Sequence, residues 1–197
     1  MDQFWIKKDI TNKYYRPEIP EDVKYRKIQK LTYENKLKQL LQDDCCLCFH
    51  GTTIWNAKSI LESGEITARI DREGEGEGVL NTPGKIYVST INNLWFTVNH
   101  HADLGNYKYP AGCVFVIKPT SEEEYNSAKE SNLISNVDFK KFPNILKAII
   151  TTPENIDKVK SWLQSSGIDV NPDIVKDYND SIDYLSKINC GLEEKIL

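Results

Sequence analysis

No apolar run in the chain approaches the roughly 18 residues that a membrane-crossing helix needs. A membrane partner is therefore not expected. The N-terminus, MDQFWIKKDI, lacks the apolar stretch of a signal peptide, so the expected location is cytoplasmic. Export by a specialised secretion system would leave the same N-terminus. Basic charge is not in excess: 25 Lys and Arg stand against 29 Asp and Glu, a net charge of −4. That balance leaves no footprint for tracking a phosphate backbone and disfavours a nucleic-acid partner. Cysteine is present without a framework, since five residues at irregular spacing suit a reducing compartment better than a disulfide scaffold. HExxH and GxSxG are missing, and no internal repeat is found.

What is there is a chain of 197 residues, 40% hydrophobic and 27% charged, enough for one domain with a real core. Three zones are expected. Residues 1–44 are polar, with RPEIPEDV as a turn and a helix from Val23 to Leu41, and form a helical N-terminal extension. Residues 45–152 form the core, where CCLCF, KIYVS, GCVFVIKP and NILKAIITT read as short strands. Between the first two lies a helix, NAKSILESG, with Ala57, Ile60 and Leu61 inward and Gly64 as its stop. TINNLWFTVNHHADLG reads as a further helix ending at Gly105. Residues 153–197 form a helical C-terminal extension. It opens with a helix framed by Pro153 and Gly167, with Ile156, Val159, Trp162 and Leu163 on one face. The whole is expected to be one compact α+β domain.

REGEGEGVLNTPG, residues 72–84, alternates Gly with Glu. It matches neither GxGxxG nor GxxxxGK, and its glutamates would repel phosphate, so it reads as an acidic loop. Residues 45–53, CCLCFHGTT, crowd three cysteines against one of only three histidines. A zinc site needs ligands that converge from loops or helix ends. On a strand, Cys46, Cys48 and His50 share one face but spread along it, and Cys45 points to the other. A redox CxxC would need a helix N-terminus to lower a thiol pKa, and Phe49 continues the apolar run instead. The thiols therefore read as small buried hydrophobes, and no metal is expected. His100 and His101, adjacent on a helix, diverge by about 100° and read as a solvated helix end.

His50 closes the apolar run and is followed by Gly51, where backbone could approach a ligand closely. Tyr87 follows on the second strand, as a pocket aromatic or an ordinary core ring. FHGTT at 49–53 with SILESG at 59–64, then KIYVST at 85–90, resembles the His-Tyr class of ADP-ribosyltransferases. That class includes the diphtheria-toxin-like, poly(ADP-ribose) polymerase-like and rifamycin-modifying enzymes. LWFTVNHHADLGNYKYPAGCVFVIKPT is similar to the helix and following strand of the class, and KKFPN at 140–144 to a segment of the rifamycin-modifying group. The resemblance spans residues 46–152. It implies a core of short mixed or antiparallel strands in two packed sheets and NAD as substrate. It also implies an NAD contact set of His50, Gly51, Thr52, Tyr87, Ser89, and Trp95 or Phe96. Within that set His50 would bond the nicotinamide ribose, Gly51 would pair with the carboxamide, and Tyr87 would stack on the ring.

The third motif of the class normally carries a Glu. Aligned through NILKAIITT, this chain has Lys147 there, which makes His50, Tyr87 and Lys147 the expected catalytic set. Aligned by the Lys-Phe-Pro segment, the position falls near Ile134, and the carboxylates nearby are Glu122, Glu123, Glu124, Glu130 and Asp138. The implied activity is mono-ADP-ribosyl transfer to an acceptor that is a protein, a nucleic-acid base or a small molecule. Two rivals are an RNA 2′-phosphotransferase-like enzyme, favoured by Lys147, and a binding module that keeps an NAD pocket without turnover.

Overall fold

A computed structural model of the chain describes residues 45–67, 84–91 and 112–188, together with Asn35 and Gln39, both helical and exposed within the expected N-terminal helix. Of the helix expected over 90–105, Thr90 is instead the last residue of a strand and Ile91 is in a 3-10 turn; its remainder, with Trp95, Phe96 and the His100–His101 pair, and most of the acidic loop lie outside the described residues.

Strand β1 (Cys48–Thr52) leads directly into helix α1 (Ile54–Ser63) and the short β2 (Glu65–Ile66). Then come β3 (Lys85–Tyr87), β4 (Ser89–Thr90) and β5 (Cys113–Ile117). Helix α2 (Glu122–Ser131), β6 (Leu133–Ser135) and β7 (Val137–Asp138) follow. The chain continues through β8 (Leu146–Thr151), α3 (Ile156–Ser165), β9 (Val175–Lys176) and α4 (Tyr178–Ser186). Among the described residues these make one five-stranded sheet, ordered β4-β1-β5-β8-β9, and two two-stranded ladders, β2-β7 and β3-β6. The protein is therefore mixed α and β, and among the described residues the five-stranded sheet is the largest.

Both faces of that sheet are covered, which is why its strands read as unbroken apolar runs rather than alternating ones. Cys48, Phe115, Ile117, Ile149 and Val175 face one core, shared with Ala57 and Leu61 of α1, Ala128 of α2, and Val159 and Leu163 of α3. Phe49, Val114, Val116, Ala148 and Ile150 face the other, closed by Leu185 of α4. Residues 153–188 are thus integral to the fold. Their helices were expected, but β9 was not: it adds to the sheet parallel to β8 after a crossover through α3. Two residues of strand, Val175 and Lys176, carry too little periodicity to be seen in sequence.

Helix α1 shows how the sequence sets its own limits. Thr53, extended, accepts from the Asn56 N–H at 3.3 Å and starts the helix. Gly64, at φ +83°, ends it by returning its N–H to the Ile60 carbonyl at 2.7 Å. A Cβ at Gly64 would also meet Cγ of Lys140 at 2.6 Å, and that lysine donates to the Glu62 carbonyl at 3.0 Å. Gly64→Ala is therefore expected to cost about 1–3 kcal/mol, from left-handed strain plus displacement of Lys140. A urea midpoint within about 0.5 kcal/mol of wild type would show that the turn absorbs the methyl group.

Candidate functional site

Segment 85–90 passes from one ladder to another. Its first half, β3, pairs with β6 through Lys85–Ser135, Ile86–Ile134 and Tyr87–Leu133. Its second half, β4, pairs with β1 through Phe49–Ser89 and Cys48–Thr90. Val88 is the joint, its N–H held by the Asn132 carbonyl at 2.9 Å. Beyond Phe49, β1 and β3 part, and the edge of β1 from His50 to Thr52 lies at a fork while its other edge stays paired with β5. His50 bridges that fork: its Nδ1 lies 2.8 Å from the Tyr87 carbonyl oxygen. A carbonyl only accepts, so Nδ1 carries the proton and Nε2 is the acceptor of the neutral ring.

Helix α2 holds both arms of the fork. The Ser121 hydroxyl caps it by accepting from the Glu124 N–H at 3.1 Å. The Glu124 carboxylate accepts from the Thr120 N–H and hydroxyl, each at 2.9 Å, and from the Ser135 N–H of β6 at 3.2 Å. The next residue, Tyr125, donates its hydroxyl to the Cys45 carbonyl at 2.9 Å, just before β1. One turn of helix thus ties β6, and through it β3, to the start of β1. The Ser-x-x-Glu spacing at 121–124 is a helix-start signal that could have revealed α2 from sequence.

The expected site residues divide as follows. His50 and Tyr87 are brought together, both half-buried. Gly51 and Thr52 continue β1 along the fork and are buried, and Ser89 is buried in β4. His50 itself is the third of five strand residues, opposite Phe115, rather than the residue that closes the strand. Burying both faces of the sheet lets the strand run on through His-Gly-Thr.

Lys147 is not brought to the pair. Ile117 pairs with Leu146 and Val116 with Ala148, so Lys147 is the extra residue of a β-bulge. A regular strand would turn it to the face of Ile149 and His50. At the bulge it lines a surface cleft together with Leu146, Ile174, Tyr184 and Ile188. It also stands two strands over and two residues along from His50, roughly 12 Å by strand spacings. The carboxylates weighed for the third position are placed elsewhere. Glu124 is committed as above, Asp138 accepts from the Lys141 N–H at 2.9 Å, and Glu122, Glu123 and Glu130 lie exposed on α2. Ile134, the other aligned position, is a core residue of β6.

The four described cysteines are buried thiols. Cys46 and Cys48 face one core and Cys45 the other, and among the described residues no three His, Cys, Asp or Glu side chains converge as a metal site would require. Burial pushes the Cys113 thiol up to about 12, against a small opposing pull from a hydrogen bond with Thr151. Burial also raises Cys48, helped by the Glu124 charge and by Cys46. A folded-state pKa above the unfolded value holds the proton in the native state. The stability this contributes is complete below about pH 8.5 and falls as pH rises toward 12. Urea midpoints are expected to fall above pH 9, with a shallower fall in Cys113→Ala; identical slopes would mean the thiol titrates normally.

No protein-family model matches the chain, nor does any curated protein or solved structure.

Proposed function

We propose that the protein is an NAD-dependent mono-ADP-ribosyltransferase whose working pair is His50 and Tyr87, within an ADP-ribosyltransferase-like core. The observation that carries this reading is the His50 Nδ1 contact to the Tyr87 carbonyl across the fork between β1 and β3. That contact sets the imidazole so that Nε2 would accept from a ribose hydroxyl. The edge of β1 at Gly51 would meet the carboxamide, and the Tyr87 ring would cover the nicotinamide. Burial raises the Tyr87 phenol above its usual pKa, so it stays neutral at physiological pH. The bond from ribose C1′ to the nicotinamide nitrogen breaks, its electron pair leaves with nicotinamide, and the acceptor nucleophile adds to C1′. The positive charge that builds on the ribose calls for nearby negative charge.

Lys147 plays no part in this reading, and with it goes the feature that favoured an RNA 2′-phosphotransferase. A second reading is favoured by one observation: the carboxylates described around the fork are bound to backbone or exposed on α2. It is a module that binds NAD without cleaving it. Full-length protein with nicotinamide-labelled NAD, followed by nicotinamide release and by calorimetric titration, separates the two. Turnover supports the transferase and saturable binding without turnover supports the module; no saturable NAD binding overturns both.

A further inference from the structure

The hydrogen bonds of the β3–β6 ladder decide where the Tyr87 carbonyl points. At one end Val88 donates its N–H to the Asn132 carbonyl at 2.9 Å, and at the other Asn136 donates to the Gly84 carbonyl at 3.2 Å. Bonded and non-bonded pairs alternate along an antiparallel ladder, so 88–132, 86–134 and 84–136 are the bonded pairs. Tyr87–Leu133 and Lys85–Ser135 lie between them, with backbone groups turned outward. On β3 this turns the Tyr87 carbonyl away from β6 and toward His50, whose Nδ1 meets it at 2.8 Å. On β6 it turns the Leu133 carbonyl and the Ser135 N–H away from β3.

Helix α2 takes up both outward groups of β6 with side chains. The Ser127 hydroxyl donates to the Leu133 carbonyl at 2.9 Å, and one Glu124 carboxylate oxygen accepts from the Ser135 N–H at 3.2 Å. The other Glu124 oxygen accepts from the Thr120 N–H and hydroxyl, which ties β6 to the start of the helix. Among the described residues β3 and β6 pair only with each other. A two-stranded ladder of three residue pairs is marginal by itself, so the orientation of β3 depends on what fixes β6 from its far edge. Tyr125, the neighbour of Glu124, holds the Cys45 carbonyl just before β1. Both partners of the His50–Tyr87 bond are thus referenced to one turn of helix.

We propose that Glu124 is a positioning residue for the His50–Tyr87 pair. By holding Ser135 it keeps β3 turned so that the Tyr87 carbonyl accepts from Nδ1, which sets Nε2 as the acceptor of the neutral ring. Its effect on turnover rests on the transferase reading, whereas its effect on the imidazole needs no NAD. A carboxylate suits the place because three donors face it. A glutamine accepts through one atom only, so it would leave either the Ser135 or the Thr120 N–H facing an amide NH₂.

The test reads the His50 ring nitrogens in long-range ¹H–¹⁵N spectra of the full chain at about pH 8, where an ordinary imidazole is neutral. His50→Asn identifies the signals by their loss. In wild type Nδ1 should read as the protonated nitrogen and Nε2 as the bare one. Glu124→Gln should mix the tautomers, moving the two signals toward each other. It should also lower kcat for nicotinamide release about 3–10-fold with KM within about twofold. Ser135→Pro removes the same bond from its other end, because that N–H lies outside the ladder, and should do likewise even where Glu124→Gln fails to fold. Glu123→Gln takes one charge from the same helical turn and should leave both readings at wild type. A bare Nδ1 in wild type, unchanged ring signals in both Glu124→Gln and Ser135→Pro, or an equal shift in Glu123→Gln would each overturn the proposal. The expected ring signals in a protein that does not cleave NAD would refute the transferase and leave the role of Glu124 standing.

Discussion

His50→Asn is expected to lower NAD cleavage about 10²–10³-fold, the usual loss when one placed polar group leaves a transition-state site, while leaving the fold nearly as stable as wild type. The reason lies in the two ring nitrogens. Nδ1 is spent on the Tyr87 carbonyl at 2.8 Å, a bond that joins two strands which otherwise separate there. An Asn amide N–H sits close to where Nδ1 would be, so it can keep that strut while removing Nε2. His50→Ala removes both and strands a part-buried carbonyl, which adds about 1–2 kcal/mol of instability to the catalytic loss. Nicotinamide release and urea midpoints, measured together, separate the roles. If His50→Asn turns NAD over as wild type does and only His50→Ala is inactive, His50 is a strut and the proposed chemistry fails.

Much of the fold was legible because its signals are local. Gly64 marks the end of α1, and Pro153 and Gly167 bracket the α3 region, each through its own backbone requirement, whereas α1 starts at Ile54 behind the Thr53 cap, two residues before the expected Asn56. Pro153 opens a short 3-10 turn before α3 rather than the α-helix itself. The order His strand, helix, Tyr strand was also legible, and so was the burial of the cysteines on opposite faces. What was not legible depends on pairing. Whether His50 ends β1 or sits inside it is decided by Phe115 across from it, more than 60 residues away. Which face Lys147 takes is decided by one bulge, and a slip of one residue reverses a strand's faces. The fork at Val88 likewise exists because Asn132 and Phe49 compete for neighbouring parts of one segment.

Phe115→Ala is expected to cost about 3–5 kcal/mol, a large share of the 5–15 kcal/mol typical of a whole domain. Phe115 is fully buried at the centre of β5, opposite His50 on one side and Ile149 on the other. Its ring stacks with Phe139, centroids 6.0 Å apart and planes 14° from parallel. Phe139 is in turn fixed by its N–H to the Gly64 carbonyl at 2.7 Å, just past the end of α1. Truncating Phe115 therefore opens a cavity that cannot collapse easily, since a paired strand lies on each side of it. Phe115→Leu keeps most of the volume and should cost only about 1–1.5 kcal/mol. Paired with Phe139→Ala in a double-mutant cycle, Phe115→Ala should show about 0.5–1.5 kcal/mol of coupling from the stacked rings. The check is urea unfolding with unchanged slope and a shifted midpoint. A Phe115→Ala loss below about 1 kcal/mol would mean that this strand is not the centre of the sheet, and the register that places His50 at the fork would fall with it.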